Sequence, residues 1–293
     1  MTRLVQTVLL GLLIGGVYAL FASGLTLIFG VMRIINVAQG AFLVLAALFT
    51  FELWRQLGID PLLSVFITTP LMFAIGWLVH RGLIARIRTA PVSMSVLLTF
   101  ALAITIEGIM GMTWKNVFRS VTPGYYNESF HLGPFFLPKG LVYGSALAVV
   151  VLLSLYLLLT RTWVGRAIRG ATENLEGAQL VGVDIQAIAA FTFAIGIATT
   201  GAGGSVLSVI YAFFPASHYI WISRTLGIVV LGGMGSVPGA VIGALMLGVA
   251  EALTARYVGP QWAVVVFYVV ILVVLLIRPQ GIRGSRLRED VVT

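Results

Sequence analysis

Stretches of apolar residues long enough to cross a bilayer recur from one end of this chain to the other. A hydrocarbon core about 30 Å thick needs roughly 17 to 25 helical residues to span it. Runs near 6–29, 37–54, 61–79, 92–112, 140–160 and 187–210 meet or approach that length, followed by a more broken region over 221–253 and a last run at 262–277. Backbone groups find no partners in hydrocarbon, so each run must close its hydrogen bonds internally as a helix. The expectation is an all-α polytopic integral membrane protein of about eight or nine segments, one transmembrane domain over 1–293. Composition agrees: 59% of the 293 residues are hydrophobic and 10% charged, against about 25% charged in soluble domains.

Arg3 precedes an apolar run with no short h-region ending at a small-residue cleavage site, so Leu4 to Phe29 reads as the first membrane helix rather than a signal peptide. Its length leaves room for a break at Gly15-Gly16. All six tryptophans fall at or just beyond the ends of the apolar runs, where interfacial aromatics belong.

The formal charge of +8 would suggest nucleic acid in a soluble chain, but here the basic residues occupy short connections, a topology signal, and no nucleic-acid partner is expected. Segments 80–91 and 161–186 and the tail after 277 are assigned to the cytoplasm. With Arg33, this puts eleven of the sixteen arginines inside, including Arg88, Arg286 and Arg288, and leaves Arg3, Arg55, Arg119, Arg224 and Arg256 outside. Segment 187–277 must then cross an even number of times. Runs at 187–210, 221–235, 238–253 and 262–277 satisfy that parity, the middle two being short enough for half-helices or a re-entrant element. With nine segments the N-terminus faces outward.

The absence of cysteine removes thiol chemistry and Cys-based metal sites, and His80, His131 and His218 form no ligand spacing. No catalytic or metal residue is expected. Candidates for the working core come instead from "VLGGMGSVPGAVIG" (Val230–Gly243). Broken backbone at membrane depth is tolerated only when buried in protein or lining a polar cavity, which singles out Gly232, Gly233, Gly235, Gly239 and Gly243. Gly235, Gly239 and Gly243 are spaced by four, so if that stretch is helical they share a face suited to close helix packing. Packing and lining of a translocation path both remain open. Asn36 and Gln39, in "VMRIINVAQGAF", are polar residues between two spans, able to cap a helix or bond across helices. Glu107 and Glu251 are acids inside or near apolar runs, and a carboxylate at that depth faces a cavity or a partner.

"RTWVGRAIRGATENLEGAQLVGVDIQ" (Arg161–Gln186) differs in kind. Its mixed charge and helically spaced small apolar residues predict a short amphipathic helix over Thr172–Leu180, with Asp184 capping the helix that follows. A surface helix this short needs a partner or the membrane plane to hold it.

Three blocks resemble signature regions of the LivH-type permease of branched-chain amino-acid ABC importers, a family that includes urea and short-chain amide permeases. They are Gly15–Phe42, Gly165–Gly196 and Val229–Leu253, and Arg86–Gly108 also matches. The resemblance covers essentially the whole chain. It implies an ABC importer permease fold in the bacterial cytoplasmic membrane. The partners it implies are a second related permease, two cytoplasmic ATPases that use ATP and Mg, an extracytoplasmic substrate-binding protein, and membrane lipid. The chain would bind no cofactor itself, and it holds no "GxxxxGK[ST]" phosphate loop. The resemblance makes the 161–186 segment the ATPase-docking loop, through Arg169, Thr172, Glu173, Glu176, Ala178, Leu180 and Gly182. Family members often carry "NFAHGE" or "NFAHGA" where this chain has "NVAQGA", so Gln39 stands in place of the usual His. A self-contained secondary transporter or channel is the competing reading, since it too uses broken helices and central glycines.

Overall fold

The computed structural model describes residues 2–87 and 92–284; Arg88, Arg286 and Arg288 lie outside them. Eleven α-helices follow in order: α1 (Thr2–Met32), α2 (Gln39–Leu57), α3 (Val65–Gly82), α4 (Val92–Trp114), α5 (Lys139–Arg161), α6 (Trp163–Glu173), α7 (Leu175–Leu180), α8 (Ile185–Ile210), α9 (His218–Gly232), α10 (Val237–Tyr257) and α11 (Pro260–Ile277). Eight helical spans are long and apolar enough to cross a membrane, which makes this a multi-pass membrane protein. The ninth membrane segment, α9, has 15 residues and is shorter. By contrast α10 has 21 residues, so the expectation of a short segment there is corrected. Helix α1 passes through Gly15 and Gly16 without a break.

Close contacts fix the directions. Gly11 meets Gly248 and Val249 while Gly15 meets Ala244 and Leu245, so α1 and α10 run antiparallel. Thr68 bonds Gly201 and Gly76 packs on Ala194 and Ile197, so α3 and α8 do likewise. Helix α9 packs on α10, α2, α1 and α11 and turns back tightly into α10, so the described chain alternates through nine segments, with Thr2 and Gly284 at opposite ends of the bundle. At one end Gln6 donates to the Phe136 carbonyl at 3.2 Å. There an antiparallel hairpin pairs β1 (Ser129–Leu132) with β2 (Phe135–Pro138), an element not foreseen in the sequence. At the other end Arg33, Ile84, Leu175 and Gln186 line one cavity of about 210 Å³, and the chain after α11 bonds back to the α9–α10 turn through Arg283 N–H to Gly232 O at 3.0 Å. The basic segments therefore gather at a single end.

Helix α8 is the axis. Its most apolar window is 94% buried, whereas that of α11 is 17% buried. Small residues permit this enclosure. A Cβ at Gly204 would lie 2.5 Å from the Ala47 nitrogen, and one at Gly201 2.6 Å from the Thr68 carbonyl. Buried hydroxyls join helices here: Thr50, Ser64, Thr68 and Ser205 form one buried cluster with links of 3.1 to 3.2 Å. Such clusters join helices where the hydrophobic effect cannot, since lipid is as apolar as a leucine side chain.

Candidate functional site

The glycine-rich stretch is a tight helical hairpin. Helix α9 ends at Gly232, Gly233 and Gly235 take φ of +98° and +87° in the turn, and Ser236 caps α10 by accepting from Gly239 N–H at 3.2 Å. Gly235 is thus a turn residue, which corrects its placement on a helical face with Gly239 and Gly243. Positive φ is strained for any side chain. At Gly239 an added Cβ would sit 2.1 Å from the Gly232 carbonyl oxygen, and at Gly232 one would sit 2.4 Å from the Ala240 nitrogen. Gly243 faces Gly232 and Ile228 at 3.2 to 3.3 Å. The three glycines let two backbones touch, and Gly30 of α1 closes on Gly235 from the side.

Asn36 and Gln39 lie in the helix core. Asn36 Nδ2 donates to Gln39 Oε1 at 3.1 Å, and Gln39 Nε2 donates to the Gly196 carbonyl at 3.0 Å, both side chains fully enclosed. Gly24 makes room for them. Both polar ends of Gln39 are engaged within the chain, one with Asn36 in the unwound segment before α2 and the other with α8. Thr99 of α4 ties in the unwound segment before α2, donating to Ile35 O and accepting from Val37 N–H, both at 3.1 Å.

Glu107, about two turns inside the end of α4, accepts at Oε2 from Tyr219 Oη at 2.9 Å and lies 3.0 Å from His218 Nε2. His218 is buried while the Glu107 side chain keeps 23% of its exposure. For Glu251 a partner was expected, but not that it would be Arg224. Arg224 belongs to the middle of α9, not to an outer connection, and its guanidinium pairs with Glu251 Oε1 at 2.9 Å. Tyr18 Oη donates to Glu251 Oε2 at 2.8 Å, and the rings of Tyr18, Trp221 and Phe267 surround the Arg224 cation at 5.5 to 5.9 Å. The pair ties α1, α9 and α10 together, and each member keeps about one seventh of its exposure. The signal was present in "IWISRTLGIV": a lone arginine within an apolar run is costly in lipid and implies a carboxylate partner.

The 161–186 segment forms a shelf of two helices. The single helix expected over Thr172–Leu180 is instead broken at Asn174, whose extended backbone ends α6 and whose Oδ1 accepts from Gly177 N–H at 2.9 Å to start α7. Thr162 caps α6 through Gly165 N–H, and Asp184 caps α8 at 2.9 and 3.1 Å as expected. Ala178 points inward, in a cluster with Leu27, Val31, Ala167, Ile168, Ala171 and Ile188 that seats the shelf on α1 and α8. Arg169, Thr172, Glu173, Glu176, Leu180 and Gly182 are exposed. Leu180 and Val181 stand 89% and 80% exposed beside an open groove of about 450 Å³ lined by Trp163, Arg166, Glu173 and Asn174. Among the described residues no three His, Cys, Asp or Glu side chains are grouped to hold a metal ion.

The family model described as "Branched-chain amino acid transport system / permease component" matches residues 7–275. The branched-chain amino acid permease BraD of Pseudomonas aeruginosa is 30% identical, the match covering 95% of each chain. The corresponding LivH protein of Salmonella typhimurium is 28% identical over 94% of this chain and 93% of its own. The fructose import permease FrcC of Rhizobium meliloti is 24% identical over 83% of this chain and 69% of its own. No solved structure matches.

Proposed function

Because the chain belongs to the branched-chain amino acid transport permease family, we propose that it is the membrane subunit of an ATP-driven importer for branched-chain amino acids in the bacterial cytoplasmic membrane. It acts with a second permease, two ATPases that bind ATP and Mg, and a substrate-binding protein on the outer side. The observation that carries the reading is the shelf: two capped helices, fastened to α1 and α8 through Ala178 and its neighbours, present exposed Leu180 and Val181 with Glu173 and Glu176 at the basic end of the bundle. A surface helix this short needs something to cover its apolar ridge, and a cytoplasmic ATPase docked at this end would bury Leu180 and Val181.

In this account the ATPases push on α6 and α7, and α1 with α8 tilts as a packed unit while the α9–α10 hairpin pivots at its glycine turn. Packed helices have few discrete arrangements, so a push at one end is delivered at the other as a change between open and closed states. Asn36, Gln39, Gly232, Gly239 and Gly243 are core residues of that moving body, and Glu107 faces the path. The shelf and the bundle form one domain. The chain conducts, and ATP chemistry resides in its partners. ATP-dependent uptake of radiolabelled L-leucine by the complete complex in proteoliposomes is the expected result. Uptake by this chain alone, driven by an ion gradient without an ATPase, would establish the secondary-transporter reading instead.

A further inference from the structure

Glu107 is more than a polar residue near a path. Both of its protein donors, Tyr219 Oη and His218 Nε2, converge on Oε2, and among the described residues no donor is bonded to Oε1. His218 is buried, its Nδ1 has no partner, and its ring lies against that of Tyr219 with centroids 4.0 Å apart. The result is a carboxylate held by one oxygen, with no donor on the other, in a side chain that keeps 23% of its exposure beside an aromatic ring that is 45% exposed. It lies within the membrane segment α4, about two turns from its end, where a carboxylate is costly against lipid without a counter-charge. No Lys or Arg reaches it among the described residues.

We propose that Glu107 is the docking point for the α-ammonium group of the transported amino acid, the Tyr219 ring forming one wall. This rests on the importer reading and names the group of the substrate that the membrane subunit recognises. A primary ammonium supplies what the site lacks: positive charge for the carboxylate, N–H donors for Oε1, and a cation for the face or edge of an exposed ring. The surroundings suit the remainder of such a molecule. Ile104, one turn away on the same α4 face, and Ile220, next to Tyr219, are half exposed and offer apolar contact to a branched side chain. A carboxylic acid lacking the amine has no favourable contact here, because it would bring a second negative charge to Glu107. Discrimination for the amine then occurs inside the membrane subunit, separately from selection by a binding protein.

The cysteine-free sequence allows a direct test. Gly111 lies one turn beyond Glu107 on α4, and an added Cβ there meets no atom within 4 Å, so Gly111→Cys is accommodated and reports on the site. Its labelling by a small thiol reagent is timed in the assembled complex with L-leucine, with leucinamide (amine kept, carboxylate lost) or with 4-methylpentanoate (amine lost). At about ten times its dissociation constant, leucine or leucinamide should slow labelling roughly tenfold, 4-methylpentanoate should leave it unchanged, and Glu107→Gln should abolish protection in a complex that still assembles with its ATPases on size-exclusion chromatography. Tyr219→Phe should retain part of the protection. Equal protection by 4-methylpentanoate, protection that survives Glu107→Gln, or no protection by either amine overturns the proposal, the last being the outcome if a cation of the second permease occupies the site. A complex that fails to import leucine yet shows amine-specific protection would sink the importer reading and leave the ammonium site standing.

Discussion

The α9–α10 hairpin and the α6–α7 shelf are both breaks in helical structure, and they are built on opposite principles. The hairpin has almost no side chains at its centre: Gly232, Gly239 and Gly243 bring backbones into contact, so its geometry is dictated by what is missing. The shelf is held by side chains, with Thr162, Asn174 and Asp184 capping its ends and Ala178 plugging it into the bundle. The first arrangement tolerates no added volume. The second tolerates change everywhere except at its caps and its inner face. In the proposed importer the region that pivots within a tight bundle is thereby separated from the region gripped from outside, and substitutions in the two should fail differently.

The largest effect is expected at Gly239. Overpacking typically costs about 1 to 3 kcal/mol, and Gly239→Leu adds its whole side chain beyond a Cβ already 2.1 Å from a carbonyl oxygen, so the cost should reach or pass the top of that range. Thermal unfolding in detergent, followed by size-exclusion chromatography, should show a markedly lower Tm. A variant with wild-type Tm and transport would mean that the backbones are not in contact. Next is the Arg224–Glu251 pair. Arg224→Met alone should destabilise by about 3 kcal/mol because it strands a half-buried carboxylate, while the double replacement with Glu251→Met should recover much of the loss. Equal Tm values for the single and double variants would show that the two groups do not interact. Smaller still, Asn174→Ala removes the α7 cap and should cost about 1 kcal/mol, visible as faster proteolysis near 174 with the membrane helices intact.

The sequence was legible where one physical rule acts alone. Apolar length located the spans, the cap Asp184 sits where its residue type predicts, and Gly239 and Gly243 do share a packed face. It was less legible where distant segments meet. Arg224 and Glu251 are 27 residues apart and Tyr18 lies 233 residues from Glu251, so periodicity within one helix says nothing of their union. Ala178 illustrates a different obstacle. Its spacing fits an amphipathic helix, but the break at Asn174 rotates α7 relative to α6, and only the packing shows that Ala178 faces the bundle. A bulky substitution there would disturb this chain's own seat on α8 rather than a partner, so it is unsuited to probing docking.

The measurement that bears most directly on the division between core and shelf is therefore made at Leu180 and Glu173, both fully on the outer side of the shelf. Leu180→Asp and Glu173→Arg replace exposed side chains and remove no capping group, so each should change stability by less than about 0.5 kcal/mol. Reconstituted in nanodiscs with the second permease and the ATPases, both variants should insert and unfold like the parent, yet Leu180→Asp should bind the ATPases weakly and Glu173→Arg should lose the substrate-stimulated part of ATP hydrolysis. Normal ATPase association and coupling in both variants would contradict the account, and the shelf would then be a membrane-resting linker.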